Sequence, residues 1–446
     1  MVVRREPRLP DPAMALSASN KVASDDRAVH DWYRFVLSFP PHLVRHYLAR
    51  MDVAPDDLVL DPFNGTGTTT VECKLNGVRS IGVEAHPMAR FASEVKGDWT
   101  VDPGALMRHA TEIAVKVSDN LQRVGMSDGS TSSVDPKKLR RLPDEIARLL
   151  LSNSISPIPL HKALVLLENI DGSQEEAFKA CERLAFAKTV VSSASNLHFG
   201  PEVGVQTPKA DAPVVEPWLK AVSKMCWDLE AVTDNQGVPY QVVQADARDL
   251  RGVLPRGSVG AVLCSPPYPN EKDYTRTTRL ESVLLGYIRS RDDLRTLKGQ
   301  LIRSNTRGVY KSDDDDSWVD SDHAIQGIAE AIEDRRIAMG KTSGFERLYP
   351  RVTKLYFGGM KRHLANLRDV LRPGAKLSYV VGDQASYLRV MIRTGQILAR
   401  IAETLGYEVE GIDLFRTRLA TATGEQLREE VVLLRWPGRP SDSHAD

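Results

Sequence analysis

The sequence predicts an α/β protein on a doubly wound, mostly parallel, seven-stranded sheet that carries a helical insertion. Three observations predict it. Short apolar strands alternate with helical stretches, a Gly-rich turn leaves the first strand, and a rigid Pro-Pro turn leaves a later one. At 446 residues the chain has room for two or three structural units.

The strand candidates are Asp57–Asp61, Arg79–Glu84, Tyr240–Gln244, Val259–Cys264, Ala375–Val381, Val409–Phe415 and Glu430–Arg435. They are mostly apolar and β-branched, as strands covered on both faces must be. A helix from Thr68 to Asn76 follows the first strand and stops at Gly77, a natural C-cap. Between about 100 and 235 the pattern turns helical; Leu139–Leu151 and Ser173–Val191 carry 3.6-period apolar faces. Residues 286–350 are polar and charge-rich. The expected layout is a tail over 1–25, a sheet domain over 26–99, 236–285 and 351–436, a helical insertion over 100–235, a second insertion over 286–350, and a tail over 437–446.

Composition excludes several classes. Lys and Arg total 59 against 59 Asp and Glu, so a polyanion must be met by local basic patches, not by a whole-molecule field. No apolar run approaches the roughly 18–20 residues of a membrane span, and the N-terminal sequence lacks the apolar stretch of a secretory signal. The 4 cysteines include no C-x-x-C pair, so no disulfide framework or metal knuckle is expected, and a reducing, cytoplasmic setting fits.

Chemistry begins at Asp61-Pro-Phe-Asn-Gly-Thr-Gly-Thr-Thr69, which leaves a strand and opens a helix. Gly65 and Gly67 let the backbone turn tightly and approach a ligand. Thr68 and Thr69 sit near the helix N-terminus, where unpaired N–H groups favour an anion such as a carboxylate. Glu84 ends the next strand at the spacing from which an acidic side chain accepts ribose hydroxyls. A ligand-free structural turn is one alternative. A nicotinamide-dinucleotide site is another, but Thr70 stands where the third glycine of that fingerprint belongs.

The second signal is Ser265-Pro-Pro-Tyr268 after the strand Val259–Cys264. Two prolines lock the backbone and remove two donors, so the loop offers acceptors to an amino group held in one orientation. Tyr268 adds a flat face for a base. The bland alternative is a stiff strand exit. In a parallel sheet both loops would meet at the carboxyl ends of the strands.

Asp-Pro-Phe-x-Gly-x-Gly-Thr-Thr resembles the S-adenosylmethionine-binding motif of DNA amino-methyltransferases, and Ser-Pro-Pro-Tyr resembles the catalytic motif of their N(4)-cytosine members. The resemblance covers about half the chain and implies the seven-stranded methyltransferase sheet. By it, the Asp61–Gly67 loop, including Pro62, wraps the methionine part of the cofactor, Phe63 packs beside it, Thr68 and Thr69 complete the cradle, and Glu84 holds the ribose. Asp246 resembles the carboxylate that reads the adenine amino group, with a helix N-cap as its bland reading. The segment His30–Pro41 resembles the one that packs at the methionine end, with Ser38 and Phe39 as candidate contacts. Asp383 would lie at the same sheet edge, serving the site or capping a loop.

The implied reaction is direct transfer to the exocyclic amino group of cytosine in duplex DNA. Ser265 Oγ and the Pro266 carbonyl would accept the two amino hydrogens, Pro267 stiffens the loop, and Tyr268 stacks on an extruded base. Cys264 raises the rival idea of carbon-5 chemistry, but it precedes the motif and ends a strand, as a buried structural thiol does. Adenine-N(6) methylation, RNA base methylation and a DNA-binding protein on an inactive scaffold remain as alternatives. Double-stranded DNA is the expected substrate, and a cognate restriction endonuclease or other defence protein the partner class.

From Arg276 to Lys311 there are nine Arg and Lys against three Asp and Glu; Arg276, Arg279, Arg303 and Arg307 are the candidate DNA contacts. Asn196-Leu-His-Phe-Gly200 is a second candidate DNA loop, though it reads more simply as a helix exit ending at Gly200. Most Ser-Pro-Pro-Tyr enzymes place that motif before the cofactor loop, whereas here the cofactor loop comes first. Recognition therefore falls to the helical insertion, to 286–350, or to both.

Overall fold

The computed structural model describes residues 26–33, 38–129, 135–200, 202–269, 273–419, 424 and 426–438. The expected tail over 1–25 and most of the one over 437–446 lie outside these, as do residues 34–37 of the His30–Pro41 segment.

The strands are β1 (Val59–Asp61), β2 (Ser80–Val83), β3 (Leu197–Phe199), β4 (Val203–Val205) and β5 (Tyr240–Val243). β6 (Val259–Cys264), β7 (Leu371–Gly382), β8 (Glu408–Leu419) and β9 (Gln426–Arg435) follow. Seven of them form one sheet in the order β5-β2-β1-β6-β7-β9-β8. Every pairing from β5 to β7 is parallel, and only β9 runs against its neighbours. This is the doubly wound, mostly parallel sheet that the alternation of strands and helices predicts.

The chain steps outward from β1 to β2 to β5, then returns to the other side of β1 as β6. Strand order reverses between β1 and β6, and a crevice opens at their carboxyl ends. Val59 lies beside Ala261 and Leu60 beside Val262, so Asp61 and Cys264 end their strands close together.

Side-chain alternation divides these residues between the faces. Leu60 and Val262 pack with Tyr356, Phe357 and Leu364 of the helix Tyr349–Leu367. Val59, Ala261 and Leu263 pack with Leu43, Val44 and Tyr47 of the helix Pro41–Arg50.

Residues 103–231 are helical in the main, with long helices at Pro103–Gln122, Pro157–Asp171, Glu176–Thr189 and Val215–Ala231. Ile113, Phe186 and Trp218 share a core with Val71, Met88 and Val95 of the sheet's own helices. Two expectations fail here. Leu139–Leu151 keeps only one helical turn, Asp144–Ala147, entered through Pro143. Its apolar residues Leu139, Leu142, Leu150 and Leu151 pack onto the insertion core from an irregular path. Asn196–Gly200 is no helix exit: the helix ends in a wide turn over Val190–Ala194, and Leu197–Phe199 pairs antiparallel with Val203–Val205.

The charge-rich stretch 286–350 does not fold apart from the sheet domain. Ile302, Val319, Ile325 and Ile332 join the same core as Leu60 and Val262. Gly358 makes this packing possible, since a Cβ there would lie 1.8 Å from the Asp315 carbonyl oxygen.

Candidate active site

One cleft opens at the β1/β6 switch, enclosing about 1630 Å³ of atom-free space including its mouth. Pro62, Phe63, Gly65 and Thr68 line it from the first loop, and Ser265, Pro266, Pro267 and Tyr268 from the second. Ser38, Phe39, Glu84 and Asp246 line it as well.

The first loop is held from beneath. Asp61 is buried and accepts the Phe63 N–H at 3.0 Å through Oδ1. Burial pushes its carboxyl up to about 7, against the pull of the Thr69 hydroxyl and the Phe63 amide. Gly65 and Gly67 take φ of 51° and 87°, in the left-handed region that glycine tolerates. Gly67 does not line the cleft. A Cβ on it would meet Ser93 Oγ at 2.5 Å, so its part is the turn and its packing. Ser93 belongs to a network that sequence reading missed: Asn64 Nδ2 donates to Ser93 Oγ at 2.6 Å, and Thr70 Oγ1 donates to Asn64 Oδ1 at 3.0 Å. The Tyr240 hydroxyl donates to the Ser93 carbonyl at 2.7 Å. Thr69, expected among the cofactor contacts, is fully buried, its hydroxyl donating to the Leu263 carbonyl.

Glu84 reaches into the cleft from the end of β2. Its two oxygens accept the N–H groups of Gly65 and His86, each at 2.7 Å. Burial pushes it up to about 7, while the backbone donors of His86 and Gly65 act the other way. Glu84 thus presents a buried carboxyl to a cleft that Phe39 and Phe63 also line, able to accept hydroxyl donors from a ligand once ionised. Glu84, Gly65 and Thr68 line the part of the cleft where an S-adenosylmethionine would be held. Phe63 is braced edge-on against His363, whose Nδ1 donates to the Ala247 carbonyl at 2.6 Å.

Asp246 is not an N-cap. Its carboxylate is forked by the Arg248 guanidinium, whose Nε lies 3.0 Å from each Asp246 oxygen. Arg248 also donates to Asp315 Oδ2 at 2.6 Å and to the Gly299 carbonyl at 2.7 Å. The carboxylate at the cofactor end is thereby fastened to the 286–350 stretch.

At the second loop, Ser265 Oγ donates to the Val380 carbonyl at 3.3 Å. Tyr268 packs over Gly382. Cys264 is buried, and burial drives its thiol well above the ordinary range, which keeps it protonated and unfit as a nucleophile. Asp383 stays out of the cleft: its Oδ2 accepts Arg393 at 2.6 Å and the Arg428 amide.

A further wall of the cleft comes from residues with no motif. Lys298 Nζ donates to Asp273 Oδ2 at 2.9 Å, and both line the cleft. His86 Nε2 pairs with Thr278 Oγ1 at 2.9 Å, and burial lowers its ring to about 4, so it stays neutral. Asp273 also caps the short helix Tyr274–Thr277, accepting the Thr275 amide at 3.0 Å.

Of the four arginines expected to meet DNA, three turn inward. Arg303 is buried and forks Asp313 at 2.9 and 2.6 Å. Arg279 donates to the Thr275 and Leu149 carbonyls, and Arg276 to the Val203 carbonyl. Arg303 and Arg279 are engaged within the fold, while Arg276 is half-buried and makes one bond of 3.4 Å. Arg307 is exposed. Among the described residues, no helix is long and apolar enough to cross a membrane.

A DNA methylase family model, the N6/N4 type, matches residues 16–92, the stretch that carries the first loop and Glu84. The chain is 22% identical over 451 residues to the Type II methyltransferase M.BsoBI of Geobacillus stearothermophilus, covering 93% of this chain and 85% of that one. It is 24% identical over 442 residues to M.AvaI of Nostoc sp., covering 93% and 88%. Among solved structures, the rRNA methyltransferase aviRa of Streptomyces viridochromogenes aligns over 95% of this chain and 92% of its own, at 10% identity and a TM-score of 0.31. The match over the first loop and the likeness along nearly the whole chain to Type II methyltransferases agree with the resemblance of its two motifs to the DNA amino-methyltransferases.

Proposed function

We propose that this chain is a site-specific, S-adenosylmethionine-dependent methyltransferase that modifies the N(4) amino group of cytosine in duplex DNA. The observation that carries the reading is the shared cleft, in which the glycine loop and Ser265-Pro-Pro-Tyr268 leave neighbouring parallel strands. S-adenosylmethionine supplies a methyl already activated on a sulfonium, so the protein's main work is placement.

The exocyclic nitrogen is a weak nucleophile because its lone pair is delocalised into the ring. Ser265 donates its own hydrogen to the Val380 carbonyl, which turns its oxygen lone pairs toward an incoming N–H. With the Pro266 carbonyl it accepts the two amino hydrogens, frees the lone pair from the ring plane, and stabilises the positive charge that develops. The new N–C bond forms as the C–S bond breaks, and one amino proton is then released. Inside a duplex that nitrogen is paired and stacked, so the base is extruded into the cleft, where Tyr268 offers a stacking face.

The likeness to Type II methyltransferases favours a role in restriction and modification, with a cognate endonuclease as the partner class. Mass spectrometry of nucleosides from DNA treated with the purified chain tests the reading. N(4)-methylcytosine is expected. N(6)-methyladenine would replace the base assignment, and methylation of RNA alone would overturn the substrate class.

A further inference from the structure

We infer that Phe345, with Arg307 stacked on its ring, is the wedge that enters the target duplex when the base is extruded. This rests on the DNA reading above and assigns a part in it that neither motif supplies.

Phe345 is 53% exposed, an unusual state for a ring of that size, and it has company. Ile337 and Met339, at 62% and 46%, sit at the end of the helix His323–Ala338 that leads to it. Apart from Trp318, the large exposed apolar side chains described in the 286–350 stretch lie within Ile337–Phe345, a segment punctuated by Gly340 and Gly344.

Its place matters more than its exposure. The Arg307 guanidinium lies over the Phe345 ring, 5.5 Å from the centroid, within cation–π range. Asn305 and Gly308, on either side of Arg307, line the catalytic cleft. The Arg307 carbonyl accepts Lys298 Nζ at 3.2 Å, and the same ammonium pairs with Asp273 in the cleft wall. Through Arg307 the ring is thereby coupled to a loop whose neighbours line the cavity and whose backbone is tied to its wall.

The pair offers what an opened base step demands. An apolar ring fills the gap and stacks on the bases that lost their neighbour, and a guanidinium beside it meets the phosphates. Whereas Arg303 is spent on Asp313, Arg307 is exposed at the rim. A duplex is the occupant that suits both groups.

The test separates the wedge from the chemistry. Long-read sequencing of DNA methylated by the wild-type chain defines the site, and a short duplex of that sequence is made with the target base either paired or facing an abasic position. Phe345→Ala is expected to lower kcat/KM on the paired duplex by about tenfold or more, yet stay within about twofold of wild type on the abasic one, where extrusion costs little. Phe345→Leu, still an apolar wedge, should keep most activity on both. Equal losses of Phe345→Ala on the two duplexes, or no loss on the paired one, would overturn the assignment. A wild-type chain that methylates neither duplex would sink the DNA reading and the wedge with it.

Discussion

Thr69 Oγ1 donates to the carbonyl of Leu263 at 3.2 Å, bolting the helix that follows the glycine loop to the strand that delivers Ser265-Pro-Pro-Tyr268. The bond is fully buried, so it sets the distance between the two halves of the site with little play. Thr69 was read from sequence as a ligand contact; it is fully buried and joins the helix after the glycine loop to the strand before Ser265.

Ser265 should act on the transfer step. Ser265→Ala removes the acceptor aimed at the amino group but leaves the cradle of Gly65, Thr68 and Glu84 untouched. Single-turnover methyl transfer is expected to slow by about a hundredfold, as when one transition-state hydrogen bond is lost. Calorimetric affinity for S-adenosylmethionine should stay within about threefold; a parallel fall in both would reject the role.

Gly67 should act through the fold. Gly67→Ala forces a Cβ onto a φ of 87° and against Ser93 Oγ at 2.5 Å, disturbing the Asn64–Ser93–Tyr240 network. A stability loss of about 1–3 kcal/mol is expected, together with weakened cofactor affinity. Thermal unfolding with and without S-adenosylmethionine reads both, and an unchanged Tm would contradict the packing account.

Cofactor affinity should depend on pH near neutrality. Burial raises Glu84 from 4.5 to about 7 in the ligand-free chain. Ribose hydroxyls donate to the ionised carboxylate, so affinity should rise by up to about tenfold between roughly pH 6 and pH 8. Glu84→Gln should flatten that profile and bind more weakly throughout. The stability of the free chain runs the other way. Between the ordinary carboxyl values and about 7, the folded state keeps protons on Glu84 and Asp61 that the unfolded state has lost, so stability falls as pH rises through that window and levels above it. Calorimetry and denaturant titrations across the window check both slopes.

Gly382 should control Tyr268. A Cβ there would come within 2.8 Å of Tyr268 Cε2, pushing the ring out of its place over the end of β7. Gly382→Ala is expected to cut kcat by about tenfold with little change in cofactor affinity, because the ring it moves serves the base and not the cofactor. Unaltered kcat would show that Tyr268 is not the stacking face.

Much of the sheet was legible because burial on both faces leaves its mark on composition. Val259–Cys264 is apolar throughout and is a strand over those same six residues. The loops were legible for a related reason: a left-handed turn needs Gly65 and Gly67, and a stiff acceptor loop needs Pro266 and Pro267, whatever surrounds them. Leu139–Leu151 misled because its apolar spacing met a proline at 143 and a nearby core that buries leucines without a helix. The arginines misled because a guanidinium in sequence carries no label for its partner; Arg303 found Asp313 ten residues on.

Sequence alone determined the sheet class, the two loops and the residue types they carry, because local backbone demands and burial are written residue by residue. Tertiary structure decided which of those residues face the cleft. It set Asp61 beneath the turn, gave Thr69 to Leu263, forked Asp246 with Arg248, and brought Lys298 to the cleft's far wall. These are contacts between distant segments, and which donor meets which acceptor depends on how whole elements pack, a property no single stretch of chain encodes.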